Sequence, residues 1–409
     1  MRRGGIDSIN RAWVLLDTTL RRLARSLGGN TRHREGVLFA VTDAVTADAF
    51  LRPHLEAAGH RGQRTFLIAA RSERLLKVAS ETGASPVPLD LSRSPDPMRD
   101  AVALVRAVVA VLRAFPIASH VGTPKAGLII GLATFLTRVP TRMYTVHGLR
   151  FETESGWRRR LLVALERIAC AAATQVVAVS DSVAKELIRL NVASASKVKV
   201  LGSGSISGVD LAKFSQNPNE GKHLRRLHSV PLDRRLVLFV GRLSEDKGIL
   251  ELGKSWVIVS EQFEDCHLMI VGELDESQPA RPDVIQALSG QHNVSIVGAM
   301  ANPGPAYSAA DLLVLPTYRE GFATVVIEAG AAGIPTIASD VTGCKDSVVD
   351  GRTGLLVTPR DSQALAAATL TLLRDDDLRR RLGAAARARV QANFEVQKVV
   401  DRYMLELGI

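Results

Sequence analysis

The chain has 409 residues, of which 46% are hydrophobic and 23% are charged, a balance typical of a soluble globular protein with two or three domains. No apolar run approaches the ~20 residues that a membrane-spanning helix needs. A net charge of +10 suits anionic partners, but only 4% of the residues are aromatic and no basic stretch is interleaved with them. This argues against nucleic acid and leaves lipid and phosphorylated ligands. The three cysteines are widely spaced and lack metal-ligand spacing, which indicates a reducing cytoplasm.

Residues 1–36 combine a basic composition with an amphipathic pattern. They hold eight arginines and three acidic residues, which leaves five positive charges in excess. Six apolar residues recur at steps of three or four and would line one face of a helix: Ile9, Trp13, Leu16, Leu20, Leu23 and Leu27. Such a helix can lie in a membrane interface, so we expect contact with an anionic membrane surface. Two alternatives stay open, namely that the apolar stripe packs on the protein or that translation starts later.

From residue 37 onwards, short apolar runs alternate with helix-length amphipathic segments, which predicts a doubly wound parallel sheet. The predicted buried strands are residues 37–42, 65–69, 118–121, 143–146 and 175–180. A further run, residues 197–201, alternates charged and apolar residues as an edge strand does. The glycine- and serine-rich stretch 202–205 that follows is predicted to be a flexible linker between domains.

A second series of apolar runs starts at residue 236. Its predicted strands are residues 236–240, 268–271, 294–297, 311–316, 335–338 and 355–357. The whole pattern predicts an α/β protein with two Rossmann-like doubly wound domains that face a cleft. The predicted units are a basic extension 1–36, a first domain 37–205, a second domain 206–390, and a C-terminal helix 391–409 that could pack back on the first domain.

Residues 318–330 join a predicted buried strand to a helix through a carboxylate and a glycine, Glu320 and Gly321. Ligands of open α/β sheets bind at the C-terminal ends of the strands, and a glycine there lets a ligand approach the backbone. The free N–H groups at the start of the helix, residues 323–325, form an anion site that suits a phosphate.

Glu320 and Glu328 are eight positions apart in the sequence. This corresponds to ~12 Å along a helix, which is too far for a shared proton. It also exceeds the ~6.5–9.5 Å separation of the catalytic carboxylates in inverting glycosidases. The pair suits two contacts to one elongated ligand with anions between them, and a nucleotide sugar has that shape. The alternative is that one glutamate favours the helix dipole and the other belongs to a solvated face.

Two cations and a histidine complete the set of candidate side chains. Arg242 and Lys247 follow the first predicted strand of the second domain and lie beside glycines. Arg242 can donate two hydrogen bonds to phosphate oxygens in a bidentate arrangement, while Lys247 adds a point charge. His147 ends a predicted strand of the first domain, where its side chain would project into the cleft. Residues of this kind are often surface or structural, so these positions alone leave the chemistry open.

Several segments together resemble the retaining glycosyltransferases of family 4, which have two Rossmann-like domains (the GT-B fold). Glu320 and Glu328 match that family's signature of two glutamates separated by seven residues. Its other motifs resemble residues 144–152, 202–210, 241–248 and 343–354. Residues 120–127 resemble a segment of the transferases of capsule, exopolysaccharide and glycan-carrier assembly, which indicates the subfamily.

The resemblance implies a role for each candidate residue. Arg242 and Lys247 would stabilise the departing diphosphate, His147 and Glu320 would orient the donor sugar, and Glu328 would bind the ribose. Further contacts to the donor are implied for Gly298, Gly321, Phe322, Ala323 and Thr324. The substrate would be a nucleotide sugar, and neither a cofactor nor a metal is expected.

Two stretches depart from the family or suggest another site. Many members carry a Gly-Gly loop after the first strand, whereas residues 42–46 contain no glycine, so a backbone contact to phosphate is not expected there. Asp43 and Thr46 could face the acceptor instead. Residues 375–377 are three consecutive aspartates and could suggest an Asp-x-Asp metal site. They lie between two predicted helices, however, so capping of a helix N-terminus is the better interpretation.

We therefore predict a retaining glycosyltransferase that moves a hexose or N-acetylhexosamine from a nucleoside diphosphate, with UDP favoured. The acceptor would be a polyprenyl-diphosphate-linked saccharide in the synthesis of a cell-surface polysaccharide or glycan. The enzyme would work in the cytoplasm, peripherally at the inner face of the plasma membrane. The alternatives are a nucleotide-sugar epimerase on the same scaffold and a non-catalytic binding subunit.

Overall fold

The computed structural model describes residues 19, 22, 23, 25, 26, 34–91, 96–275 and 279–409. These residues form two sheets of parallel strands with helices on both faces, which confirms the predicted α/β architecture of two Rossmann-like domains. The predicted N-terminal apolar stripe lies outside the described residues, apart from Leu23, which is exposed.

The first sheet has seven strands in the order β3-β2-β1-β4-β5-β6-β7. They are β1 (Val37–Ala40), β2 (Thr65–Ala69), β3 (Ser85–Pro88), β4 (Ala118–Gly122), β5 (Thr141–Val146), β6 (Gln175–Ala178) and β7 (Val198–Val200). The helices are α1 (Arg52–His60), α2 (Glu73–Thr82), α3 (Pro97–Ala114), α4 (Pro124–Leu136), α5 (Gly156–Ala172) and α6 (Asp181–Arg189). A one-turn helix (Ala44–Thr46) and a π-helix (Ala47–Leu51) precede α1, and a 3-10 helix (Arg150–Thr153) precedes α5.

Strand β3 was not predicted from the sequence. It contains Pro86 and Pro88, which pair with Leu67 and Ala69 of β2 at the edge of the sheet. Proline cannot donate to a ladder and is tolerated where one side of the strand is free. The six predicted strands of this domain are all present, and β7 forms the other edge as predicted.

The second sheet has six strands in the order β10-β9-β8-β11-β12-β13. They are β8 (Arg235–Val240), β9 (Cys266–Val271), β10 (Val294–Gly298), β11 (Leu312–Leu315), β12 (Thr336–Ser339) and β13 (Gly354–Val357). The helices are α7 (Pro218–Leu227), α8 (Ile249–Gln262), α9 (Pro282–Ser289), α10 (Gly304–Ala309), α11 (Thr324–Ala331), α12 (Cys344–Ser347), α13 (Ser362–Arg374), α14 (Asp376–Asn393) and α15 (Val396–Leu407). A 3-10 helix (Glu245–Lys247) precedes α8.

Different helices cover the two faces of the first sheet. Side chains of β1 alternate between the faces, so Phe39 packs in the core that includes α1 and α15, while Leu38 packs with α3 and α4. Helices α3, α4 and α5 lie side by side, as right-handed crossovers between β3 and β6 require. Across the described part of the chain, no helix combines the length and apolar character needed to cross a bilayer.

The C-terminal helix α15 returns to the first domain and packs against α1. The ring of its Tyr403 stacks on His120, with 5.3 Å between the ring centroids. The Tyr403 hydroxyl donates to the Ser205 carbonyl oxygen at 3.1 Å, and the Ser205 N–H donates to the Val179 carbonyl oxygen at 2.8 Å. The predicted linker 202–205 is therefore held between the end of β6 and α15 in this structure.

Candidate functional site

The elbow between β11 and α11 meets the first domain backbone to backbone. A Cβ atom at Gly321 would lie 1.6 Å from the His147 carbonyl oxygen, and one at Gly148 would lie 3.4 Å from the Gly321 Cα. Gly343 adjoins the elbow from the second domain, where a Cβ would lie 2.6 Å from the Gly321 carbonyl oxygen. Gly321 was predicted to let a ligand approach the backbone; in the structure, the backbone of the first domain occupies the space where its Cβ would lie.

Two serines near the start of α6 join the domains behind the elbow. The Ser180 hydroxyl donates to the Gly321 carbonyl oxygen at 2.8 Å. The Ser182 hydroxyl oxygen accepts from the Gly343 N–H, also at 2.8 Å. These bonds fix the elbow against the C-terminal ends of the first-domain strands.

Lys247 and Glu320 form an ion pair at the second-domain wall of the cleft. The Lys247 Nζ contacts the Glu320 Oε1, and each side chain is 16% exposed. The next residue, Gly248, has a φ of +71°, and a Cβ there would lie 2.0 Å from the Pro316 carbonyl oxygen. This left-handed turn brings the loop after β8 against the end of β11, so two predicted site residues from distant segments meet.

Asp246 lies among the cations of this wall. It accepts from the Arg319 guanidinium at 3.1 Å. Burial raises the pKa of its carboxyl, but the hydrogen bond from Ser244 and the charges of Arg319, Lys247 and Arg242 outweigh burial and hold that pKa below its usual value. Asp246 is therefore a carboxylate that interacts electrostatically with Arg319, Lys247 and Arg242 beside the elbow.

Arg242 is the most accessible of these cations. Its side chain is 55% exposed, and its guanidinium contacts the Asp275 carboxylate. The structure thus places Arg242 within electrostatic range of Asp246 but pairs it with Asp275, away from Glu320. Arg319 was missed in the sequence analysis, although its position next to Glu320 in the elbow was a signal that could have identified it.

Glu328 lies in α11 and is held by a buried tyrosine. The Tyr307 hydroxyl donates to the Glu328 Oε2 at 2.6 Å, and Tyr307 itself is fully buried. Burial raises the pKa of Glu328, while the Tyr307 hydrogen bond and the charge of Lys213 oppose that increase. Tyr307 was not predicted, because nothing in the spacing between α10 and α11 indicates that these side chains meet.

The helical separation assumed for the two glutamates is wrong. Helix α11 begins at Thr324 with Ala323 as its N-cap, so Glu320 precedes the helix and the ~12 Å estimate does not apply to it. The two carboxylates do bind different partners, Lys247 and Tyr307. Among the described residues, no side chain caps the N-terminus of α11, which leaves the N–H groups around Ala323 and Thr324 in the arrangement predicted for an anion.

His147 follows β5 and carries an unpartnered nitrogen. Its ring is edge-on to Phe50 at 5.9 Å between centroids. Its buried Nε2 has no hydrogen-bond partner among the described residues, and a Cβ at Gly122 would lie 2.4 Å from it. Burial lowers the pKa of His147 to about 4. The first-domain wall therefore offers a neutral imidazole with one free polar atom.

The other residues predicted to contact the donor, Gly298 and Phe322, lie in different environments. Gly298 ends β10 with a φ of +81°, and its carbonyl oxygen accepts from the Gly272 N–H at 2.9 Å. The Phe322 ring is buried and packs on Phe394 with 5.3 Å between the centroids. The Phe322 side chain thus belongs to the core, and only its main chain remains for a ligand.

The aspartates singled out near the first strand and near residue 375 both cap helices. Asp43 accepts from the Thr46 N–H at 2.8 Å and from the Thr46 hydroxyl at 3.0 Å. Asp375 accepts from the Leu378 N–H at 2.8 Å at the start of α14, which confirms the capping interpretation. Within the described ranges, no three His, Cys, Asp or Glu side chains group as metal ligands would.

Known proteins resemble this chain along most of its length. A family model described as "Glycosyl transferase 4-like domain" matches residues 49–204, and one described as "Glycosyl transferases group 1" matches residues 222–389. The capsular polysaccharide biosynthesis glycosyltransferase CapM of Staphylococcus aureus is 36% identical over 298 residues, which cover 73% of this chain and 78% of CapM.

Two further comparisons are more distant. A D-inositol 3-phosphate glycosyltransferase of Corynebacterium urealyticum is 33% identical over 42% of this chain and 43% of its own length, so the chain spans less than half of that relative. The crystal structure of Anabaena Alr3699/HepE in complex with UDP and glucose has a TM-score of 0.77 at 21% identity, with 92% of this chain and 100% of that chain covered. That structural likeness shows the GT-B fold. Because both family models match and CapM is 36% identical, the chain belongs to the glycosyltransferase family in which a 4-like domain is followed by a group 1 domain.

Proposed function

We propose that the protein is a retaining glycosyltransferase that transfers a hexose or N-acetylhexosamine from a nucleoside diphosphate to a lipid-linked saccharide. The observation that carries the proposal is the Lys247–Glu320 pair, placed where Gly321 touches the His147 carbonyl oxygen. A cation for a diphosphate and a carboxylate for sugar hydroxyls thus lie together at the cleft. UDP is the favoured nucleotide, since Anabaena HepE was crystallised with UDP and glucose.

In the proposed reaction, the bond between the anomeric carbon and a diphosphate oxygen breaks. The acceptor hydroxyl oxygen bonds to the same face of that carbon, and its proton passes to the departing diphosphate. Lys247 and Arg242 would stabilise the charge that grows on the diphosphate, together with the N–H groups around Ala323 and Thr324. Binding of donor would exchange the Lys247–Glu320 contact for contacts to the diphosphate and to the sugar.

His147 and Glu320 would orient the sugar, and Glu328 would bind the ribose. The free Nε2 of His147 supports the first role, because a sugar hydroxyl could give this buried atom a partner. A neutral imidazole can accept a hydrogen bond, and its pKa of about 4 keeps it neutral at physiological pH. Phe322 would contribute through its main chain, and Gly298 through the backbone at the end of β10.

The proposed acceptor is a polyprenyl-diphosphate-linked saccharide used in cell-surface polysaccharide synthesis, at the inner face of the plasma membrane. The role of CapM in capsular polysaccharide biosynthesis supports this acceptor class. The segment 1–36, with its predicted apolar stripe and excess of arginines, would hold the enzyme on an anionic membrane. No metal is expected, since the side chains of Lys247 and Arg242 would balance the charge of the leaving group.

The experiment is a donor screen with the purified chain, in which free UDP or GDP is measured with and without a lipid-linked acceptor. Nucleotide release that requires both one donor and the acceptor, and that persists with a chelator, is the expected result. Epimerisation of the donor without acceptor would favour the epimerase alternative. Donor binding without any turnover across the acceptor panel would favour a non-catalytic subunit.

A further inference from the structure

The layer formed by α3, α4 and α5 exposes an unusual share of large apolar side chains. Of the 18 exposed large hydrophobic residues in the described part of the chain, eight lie on these helices of 18, 13 and 17 residues. Isolated exposed apolar residues are ordinary, whereas a concentration on one face marks a contact surface.

The apolar residues follow the helical repeat and form stripes. Met98, Val102 and Val105 recur at steps of four and three on α3, where Met98 is 81% exposed. On α5, Trp157 and Leu161 are one turn apart, and Ile168 continues the same face. Two more exposed apolar residues end α4, between the stripes.

The charge on these three helices is strongly positive. They carry seven arginines and Lys125, against two acidic residues. Both acids are engaged within the protein, because Asp100 accepts from Lys125 at 2.5 Å and the buried Glu166 accepts from the Tyr144 hydroxyl at 2.7 Å. The surface that faces outwards is therefore apolar and basic.

We propose that this α3–α5 layer docks on an anionic lipid bilayer. Apolar side chains that insert at the headgroup boundary and arginines that contact anionic headgroups match the pattern on α3 and α5. A second copy of the chain fits less well, since a symmetric contact would bring the same arginines against each other. The proposal rests on the proposed function in one respect, namely that a lipid-linked acceptor gives the docking its purpose.

The direction of the helices connects this surface to the cleft. Each helix of a parallel sheet starts near the C-terminal ends of the strands, so Met98 and Trp157, both at the second position of their helices, lie near the edge that carries His147. Arg34 donates to the Thr137 carbonyl oxygen at 2.8 Å, just beyond the end of α4, so Arg34 lies beside the same layer. Docking through α3–α5 would bring the cleft edge to the bilayer.

The test uses the full chain and co-sedimentation with vesicles of phosphatidylglycerol and phosphatidylcholine, or of phosphatidylcholine alone. We expect binding to the anionic vesicles that weakens with salt, because salt screens the arginine contribution. The variants Met98→Gln/Val102→Gln/Val105→Gln and Trp157→Gln/Leu161→Gln/Ile168→Gln should each bind roughly tenfold more weakly or worse. The matched control Leu76→Gln/Leu227→Gln/Leu405→Gln changes three exposed apolar residues on other faces and should bind like the wild type.

Three outcomes would overturn the proposal. The first is wild-type sedimentation of both layer variants, and the second is an equal loss in the control. The third is a wild-type dimer in sedimentation velocity that the layer variants lack, which would mean that a second copy covers the layer.

A variant Trp13→Gln/Leu16→Gln/Leu20→Gln shows how much vesicle binding the segment 1–36 adds. Nucleotide release with a short-chain soluble acceptor, measured without vesicles, tests the proposed reaction separately from docking.

Discussion

The two walls of the cleft have different chemistry. The second-domain wall carries the cations, with Lys247 paired to Glu320 and Arg319 paired to Asp246. The first-domain wall contributes a main-chain contact at His147, a neutral imidazole and the Glu152 carboxyl, which accepts from the Thr342 hydroxyl at 2.8 Å. The second-domain wall thus supplies positive charge, while the first-domain wall sets position. The predictions below test this division by removing charge from one wall, contact from the other, and then the groups that support each.

The largest expected effect comes from removing a cation of the second-domain wall. Lys247→Ala should reduce kcat by ~10²–10³, because one stabilising contact to a developing negative charge is worth about that factor. Arg242→Ala should act in the same direction. Steady-state kinetics with the donor varied measures both.

The matched control for Lys247 is Lys254→Ala, an exposed lysine on α8. It should keep wild-type kinetics. Full activity in both Lys247→Ala and Arg242→Ala would contradict a charged second-domain wall as the source of leaving-group stabilisation.

A methyl group at the contact between the walls should cost nearly as much. In Gly321→Ala, the new Cβ would lie 1.6 Å from the His147 carbonyl oxygen. Because this is far too close, the two domains must move apart. A misplacement of about 1 Å between catalytic groups can lower turnover by about 10²-fold. Activity and small-angle scattering of the variant would show a loss of turnover with a wider cleft.

The control for this contact is Gly59→Ala in α1, where the nearest atom to a new Cβ is the Thr82 carbonyl oxygen at 3.9 Å. That variant should retain activity. A fully active Gly321→Ala would mean that the backbone contact is not needed for turnover.

Glu328→Ala should weaken donor binding more than it slows chemistry. A ribose contact acts equally in the ground state and the transition state, so the donor KM rises while kcat changes little. Donor titration and turnover measured on the same preparation check this. A large fall in kcat at unchanged donor affinity would refute the ribose assignment.

Tyr307→Phe should produce a smaller change of the same kind. Without the Tyr307 hydroxyl, the pKa of Glu328 rises further, since that hydrogen bond opposes the effect of burial. The donor KM should increase by several-fold, because the ribose contact itself remains and a typical net hydrogen bond is worth ~0.5–1.5 kcal/mol. As the pH is lowered, the rise of the donor KM should begin at a higher pH than in the wild type. Tyr144→Phe, which removes the same bond from the buried Glu166, should leave the pH dependence of donor KM unchanged.

The smallest effect at neutral pH concerns His54 of α1, whose buried ring lies edge-on to His120 with 5.1 Å between the ring centroids. Burial lowers the pKa of His54 to about 4, whereas an exposed histidine titrates near ~6.5. Unfolding therefore takes up protons between these values, and the free energy of unfolding falls as the pH decreases from ~6.5 to ~4. One such group contributes at most ~1.4 kcal/mol per pH unit. His54→Asn should make this slope shallower in chemical denaturation at several pH values, and an unchanged slope would show that His54 does not titrate in this way.

The sequence predicted the strands well, because buried parallel strands are continuous apolar runs. It failed at β3, where Pro86 and Pro88 interrupt the pattern and only the sheet edge tolerates them. The sequence did predict the start of the helix near residues 323–325, and α11 begins at Thr324. The error was to apply the helical rise to Glu320, which precedes the helix.

At the site, the sequence and its family resemblance predicted residues but not their partners. Lys247 and Glu320 were both expected, and the structure pairs them. The pairing of Arg319 with Asp246 was not expected, because these residues meet only where β8 and β11 are neighbours in the sheet. Tyr307 was not expected, because the spacing between α10 and α11 does not show that its hydroxyl reaches Glu328. The contact of Gly321 with the His147 carbonyl oxygen depends on how the two domains meet, which the sequence does not show.

The contact at Gly321 has a consequence for how such enzymes diversify. Main-chain atoms make the contact, so it imposes almost no requirement on the side chains of the first domain beyond a carbonyl group and the glycine at position 148. Recombination that exchanges the first domain between homologues can therefore preserve the alignment of the cleft while it changes the acceptor surface. The constraints on such hybrids lie in Ser180 and Ser182, whose hydroxyls bond Gly321 and Gly343, and in α15, which must match the α1 of the incoming domain.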